Sequence, residues 1–226
     1  METNTDVGKK FGRHRLAVFG VIFALFWPLL FIGASHDLTN VFVVIRTVCL
    51  EWGATLVLAA IGFRALRRGA SWYRIGMFGW RDGLAMMVAL PITFCLAGLV
   101  GRYFSTPFAP DHLQKLTAVP LLLRVGLVLT AGITEEFMFR GFAIEELAAL
   151  IGKRRLAALV SLVCFTVAHI GRYGLSPALL MPAIGGAVLT IVYLWRRNLP
   201  VCMLMHAIVD GIGIIVVPAV AAAYKG

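Results

Sequence analysis

Thr134–Gly141 reads T-E-E-F-M-F-R-G and directly follows Pro120–Ile133, a run whose only charged residue is Arg124. An ionisable side chain at the centre of a membrane helix costs roughly 2.5–3.5 kcal/mol on insertion scales, so each one here needs a partner or a purpose. In a helix, Glu136 and Arg140 stand four residues apart on one face and neutralise each other. Glu135 points about 100° away around the same helix, with its charge unspent. One carboxylate is anchored and the other is free, the arrangement a general base requires.

The surrounding chain supplies the membrane context. Of 226 residues, 60% are hydrophobic and 14% charged, and the mean hydropathy is +0.89. Soluble domains are close to half apolar and a quarter charged, so the composition indicates an integral, multi-pass membrane protein. The expected fold is all-α, a polytopic transmembrane bundle of seven or eight spans around an intramembrane cavity. The net charge of +10 would suit a nucleic-acid partner, but no basic helix or aromatic platform interleaves with the charges. The basic residues lie instead in short loops between apolar runs, as the positive-inside rule requires. The four cysteines fall in separate apolar stretches and form no metal-type pair.

The expected spans are Leu16–Ile32, Val41–Phe63, Gly83–Gly101, Pro120–Leu150, Leu156–Ile170, Ala178–Trp195 and Leu199–Ala223. Residues 1–119 hold three spans and their loops, and residues 120–226 hold the span with the acidic motif and those after it. Basic clusters before the first span, at Arg64–Arg68, at Lys153–Arg155 and at Arg196–Arg197 share one side with Arg74 and Arg81. The other side keeps Arg102, Lys115, Arg172 and Lys225, which predicts a cytoplasmic N-terminus. Trp72, Tyr73 and Trp80 in Ser71–Trp80 suit the headgroup level. Arg46, Glu51 and Arg124 lie within spans and receive no role from sequence.

Two further motifs lie downstream. Phe165-Thr166-Val167-Ala168-His169 puts Phe165 and His169 on one helical face. Glu135 lies 17 residues before Gly152 and His169 lies 17 after it. In an antiparallel helical hairpin both therefore sit at one depth, about 25 Å from the bend. Part of that length, including Glu145-Glu146, is expected as overhang beyond the bilayer. The last span brings His206 and Asp210, four apart on one face. His206 is only about 12 Å past the turn at Asn198, a shortfall that eases if Gly171–Pro177 is a loop sunk into the protein and lining a cavity.

Glu135-Glu136-x-x-x-Arg140, Phe165-x-x-x-His169 and His206-x-x-x-Asp210 together resemble the three motifs of the CPBP family of intramembrane endopeptidases. That family includes type II CAAX prenyl endopeptidases and bacterial bacteriocin-processing or self-immunity proteins. The region Gly185–Asp210 also resembles the family's last two helices, and the likeness spans roughly Pro120–Val217. It implies that Glu135 and His169 activate a water, that Glu136 and Arg140 hold the helix geometry, and that His206 stabilises the oxyanion. Asp210 departs from the pattern, which most often has Asn there. An ionised carboxylate would repel an oxyanion, so the expected role of Asp210 is to orient His206. The implied substrate is a membrane-embedded or lipidated peptide, with no cofactor and no nucleic acid, in a bacterial cell membrane.

Other intramembrane chemistries fit less well. The chain has no H-E-x-x-H, no G-x-S-x-G, and a single aspartate deep in a span. Glu135, His169, His206 and Asp210 are plausible metal ligands, so a metal site stays open. So does a non-proteolytic immunity or scaffold protein, or a proton-coupled transporter using the same polar residues. A transporter should show related halves, and none is evident.

Overall fold

The structure is a computed structural model that describes residues 4–31, 37–104 and 116–223. Residues 32–36 and 105–115, Lys115 among them, and Lys225 lie outside the described residues, as do the side chains of Lys9 and Lys10. Helix α1 (Asn4–Phe26) passes into a 3₁₀ turn at Trp27–Phe31. Pro28, which has no N–H to donate, falls in that turn. Helix α2 (Val41–Ala59) starts where the Asn40 side chain accepts from the Phe42 and Val43 amides, and it continues as a π-helical stretch, Ala60–Ala65. Helix α3 is Trp80–Tyr103, with Asp82 accepting from the Gly79 amide at its start.

The acidic motif lies on one continuous rod. Helix α4 (Leu121–Glu135) runs into a π-helical stretch, Glu136–Ala143, and then into α5 (Ile144–Ile151). Gly152, at φ 71°, ends it with the left-handed cap that glycine adopts without a Cβ clash. The chain returns as α6 (Arg154–Ala168) and a single further turn, α7 (Ile170–Tyr173). Helix α8 (Leu180–Arg196) follows a 3₁₀ turn at Pro177–Leu179. Helix α9 (Leu199–Gly211) continues through a π-helical turn, Ile212–Val216, into α10 (Val217–Ala223).

Among the described residues the bundle is all-α, and six of its helical rods are long and apolar enough to cross a membrane. The α4–α5 rod is not among them, because Arg124, Glu135, Glu136, Arg140, Glu145 and Glu146 interrupt it. It is nonetheless the centre of the packing: α1, α2, α6 and α9 all lie against it or its π-helical stretch. Phe137, Met138, Phe139 and Phe142 from the motif are buried in the main core. Phe139 meets Phe165 edge to face at 5.2 Å, and Tyr73 stacks on Phe142 at 5.8 Å.

Glu145 and Glu146, the acidic pair expected in the overhang, are shielded by the protein, 5% and 0% exposed. Glu145 accepts from Tyr193 and Arg197, each at 2.7 Å. Glu146 receives Arg68 through Nε and Nη2, both at 3.1 Å, and the Tyr73 hydroxyl at 3.1 Å. Tyr73 is packed into the protein core, and its burial beside Glu146 holds the phenol above its ordinary pKa, so it stays a donor. Gly171–Pro177 is not one open loop, because its first residues complete the α7 turn. Asp82 closes the same end of the bundle by accepting from Arg196 at 2.9 Å and Asn198 at 3.0 Å.

Candidate active site

Helix α4, α6 and α9 each deliver part of one polar cluster. Glu135 is the last residue of α4, and Glu136 opens the π-helical stretch. Such stretches concentrate at functional sites because they re-aim side chains within an otherwise regular helix. His169 sits just past α6, where the backbone leaves helical geometry at φ −82°, ψ −5°. Its Nδ1 lies 2.8 Å from the Phe165 carbonyl oxygen. A carbonyl only accepts, so this nitrogen carries the proton and Nε2 presents a lone pair.

That Nε2 faces Glu135 Oε2 at 4.0 Å. The register counted from Gly152 therefore brings the acid and the imidazole together, well within two hydrogen-bond lengths. His206 approaches the same oxygen from α9, with its Nε2 3.9 Å away. Asp210 Oδ2 lies 3.7 Å from that nitrogen, too long for a hydrogen bond.

The other face of His206 was not foreseen. Its Nδ1 is 2.8 Å from Glu136 Oε1, and the same oxygen accepts from Arg140 Nη1 at 2.6 Å. The expected Glu136–Arg140 pair is thus present, and it also fixes the imidazole from a third helix. Arg140 donates further to the Gly186 carbonyl at 3.1 Å and lies 4.4 Å above the Phe165 ring. Both members of the pair are almost wholly buried, Glu136 at 0% and Arg140 at 1% exposure. Close approach makes this possible: a Cβ on Gly186 would stand 2.8 Å from the Phe165 ring, and one on Gly132 would stand 3.0 Å from the Met203 carbonyl of α9. Sequence gives no sign of the Glu136–His206 contact, since it joins residues 70 apart in the chain.

Two residues without a role in the sequence acquire contacts. Arg124 ties the start of α4 to the Val119 and Ile214 carbonyls, at 3.1 and 3.3 Å. Glu51 reaches from α2 to the Thr134 hydroxyl, 2.7 Å away and one residue before Glu135. An acid inside an apolar span was the signal available for it. Among the described residues no group of three or more His, Cys, Asp or Glu is arranged to hold a metal ion.

No curated protein and no solved structure matches the chain. Comparison with protein families matches residues 117–212 to the type II CAAX prenyl endopeptidase Rce1-like family. That stretch holds all six residues singled out by the motifs, Glu135, Glu136, Arg140, His169, His206 and Asp210. Over residues 117–212 the chain is similar to the type II CAAX prenyl endopeptidase Rce1-like family.

Proposed function

We propose that this protein is an intramembrane endopeptidase that hydrolyses a peptide bond of a membrane-associated or lipidated substrate with a water activated by Glu135 and His169. The observation that carries the reading is the position of Glu135 Oε2. It is buried without a direct hydrogen bond to the protein, yet it faces imidazole nitrogens at 3.9 and 4.0 Å. Leaving a buried carboxylate oxygen unpaired costs about 1–3 kcal/mol, an expense that catalysis explains and packing does not.

The chemistry follows from the donor count. Glu135 and the lone pair of His169 Nε2 both accept, so a water between them gives one proton to each. Two hydrogen bonds of about 2.8 Å spanning that gap subtend roughly 90° at the water, leaving its lone pairs free for a carbonyl carbon. As the C–O bond forms, one proton passes to Glu135. When the C–N bond breaks, Glu135 returns that proton to the leaving amine.

His206 is the oxyanion donor. With Nδ1–H fixed on Glu136, a second proton on Nε2 makes the ring a cation whose N–H points towards the reacting carbonyl oxygen. Glu136 and Arg140 position that ring. Asp210 lies beside the same nitrogen as a further negative charge. The polar rod Leu121–Ile151 is the seventh crossing, the N-terminus is cytoplasmic, and the substrate enters a cavity between α4, α6 and α9.

The test is cleavage of prenylated and unprenylated membrane peptides in detergent, with and without a chelator. Glu135→Gln should lose about 10²-fold or more in kcat with thermal stability retained. Full turnover by E135Q refutes the base assignment, and loss of wild-type turnover with the chelator replaces the metal-free mechanism. A wild-type protein that binds these peptides and cleaves none is a scaffold.

A further inference from the structure

Glu51 lies in α2, outside the matched residues 117–212, and the mechanism above does not use it. Its Oε2 is 2.7 Å from Thr134 Oγ1, and that hydroxyl is also 2.8 Å from the Thr130 carbonyl oxygen. Thr134 is fully buried. Two oxygen–oxygen contacts of hydrogen-bond length need two hydrogens between them. The hydroxyl supplies one, the carbonyl supplies none, and only the carboxyl can carry the second.

The surroundings point the same way. Glu51 is within electrostatic reach of Glu135, His206 and Asp210. That region already holds the carboxylates of Glu135, Glu136 and Asp210 around Arg140 and the two histidines. Thr134 is the hydrogen-bond partner of Glu51, and a neutral hydroxyl does not offset a fourth negative charge at membrane depth.

We infer that Glu51 is a positioning residue of the site, a neutral carboxylic acid that donates to Thr134 and so fixes the turn of α4 from which Glu135 projects. Thr134 then donates to Thr130, and Trp52 Nε1 donates to the Thr130 hydroxyl at 3.0 Å, extending the chain of contacts across α2 and α4. The site is therefore completed by a span from the N-terminal third of the protein. The protonation half of this inference stands by itself, while the positioning half rests on Glu135 being the base.

Infrared spectroscopy of the full-length protein at neutral pH, without substrate, reads the first half. The spectrum should contain a carboxylic-acid C=O band that Glu51→Gln removes and Thr134→Val shifts. Absence of such a band, or its survival in a folded E51Q, overturns the inference. Turnover reads the second half. Glu51→Leu, which cannot donate, should lower kcat about ten-fold or more with KM within about two-fold, and E51Q, which keeps a donor, should recover most of the loss. Equal losses in E51L and E51Q, or a change in KM alone, overturn it. If the wild type cleaves nothing, the proteolytic reading and the positioning role fall together, and the infrared result still decides the protonation state.

Discussion

Glu136→Gln changes one atom and should cost far more than a surface ion pair. Glu136 and Arg140 are 0% and 1% exposed, and their 2.6 Å contact is supplemented by His206 on the carboxylate. Glutamine keeps an oxygen for both donors, so the variant removes the negative charge and little of the packing. What remains is a guanidinium at membrane depth whose partners, the glutamine oxygen, the Gly186 carbonyl and the Phe165 face, carry no charge to offset it. Breaking a buried pair from one side costs about 3–5 kcal/mol, because the surviving charge is uncompensated. Arg140→Met leaves the Glu136 carboxylate with His206 still donating to it and should cost less, about 1–3 kcal/mol. The Gly186 carbonyl does not add to that loss, since it also accepts from Thr190 at 2.7 Å. E136Q/R140M removes both charges and should be less destabilised than the sum of the single variants by about 2 kcal/mol or more. Equilibrium unfolding in mixed micelles measures all four proteins. Costs that add within about 0.5 kcal/mol would show that the pair is not coupled and would refute the reasoning.

Gly132→Ala places a methyl 3.0 Å from the Met203 carbonyl and 3.1 Å from Ala207. It should push α9 outward and lower kcat about ten-fold through His206 while costing about 1–3 kcal/mol of stability, and wild-type kinetics in G132A would refute the role of that close approach. Asp210→Asn exchanges a carboxylate 3.7 Å from His206 Nε2 for a neutral amide. Because Glu136 already holds the ring, turnover should equal or exceed wild type, and a drop beyond about ten-fold would make Asp210 an indispensable orienter. Glu146→Gln weakens the bidentate contact with Arg68 and the Tyr73 bond. It should cost about 1–3 kcal/mol and speed proteolysis of the 66–79 loop in vesicles that expose it, whereas unchanged cleavage would place that loop's anchor elsewhere.

The helices that carry the site were readable because hydropathy and charge placement act locally. Pro120 and Gly152 bracket the acidic rod through backbone rules that need no tertiary contact. The Glu135–His169 register was readable for a related reason: one tight turn joins α5 to α6, so counting outward from Gly152 fixes depth on both arms. The π-helical stretch at Glu136–Ala143 was not readable, since the choice between helical ladders is made by what packs on Phe137, Phe139 and Phe142. Glu136 as the anchor of His206, and Glu51 as the partner of Thr134, were hidden for another reason. Each joins spans whose lateral order within the bundle has no one-dimensional signature. The shielding of Glu145 and Glu146 was not readable either, because acidic residues near a basic bend look solvated until the loops fold back over them.

The arginines at one end of the bundle act at two different times. During biogenesis, positive loop charge resists translocation and sets which way each hairpin threads. In the finished molecule Arg68, Arg196 and Arg197 neutralise Glu146, Asp82 and Glu145, all three nearly inaccessible. A copy that inserted one hairpin backwards would separate these partners and strand their carboxylates. Under that reading a threading error is also a packing error, legible in the carboxylates it leaves unpaired.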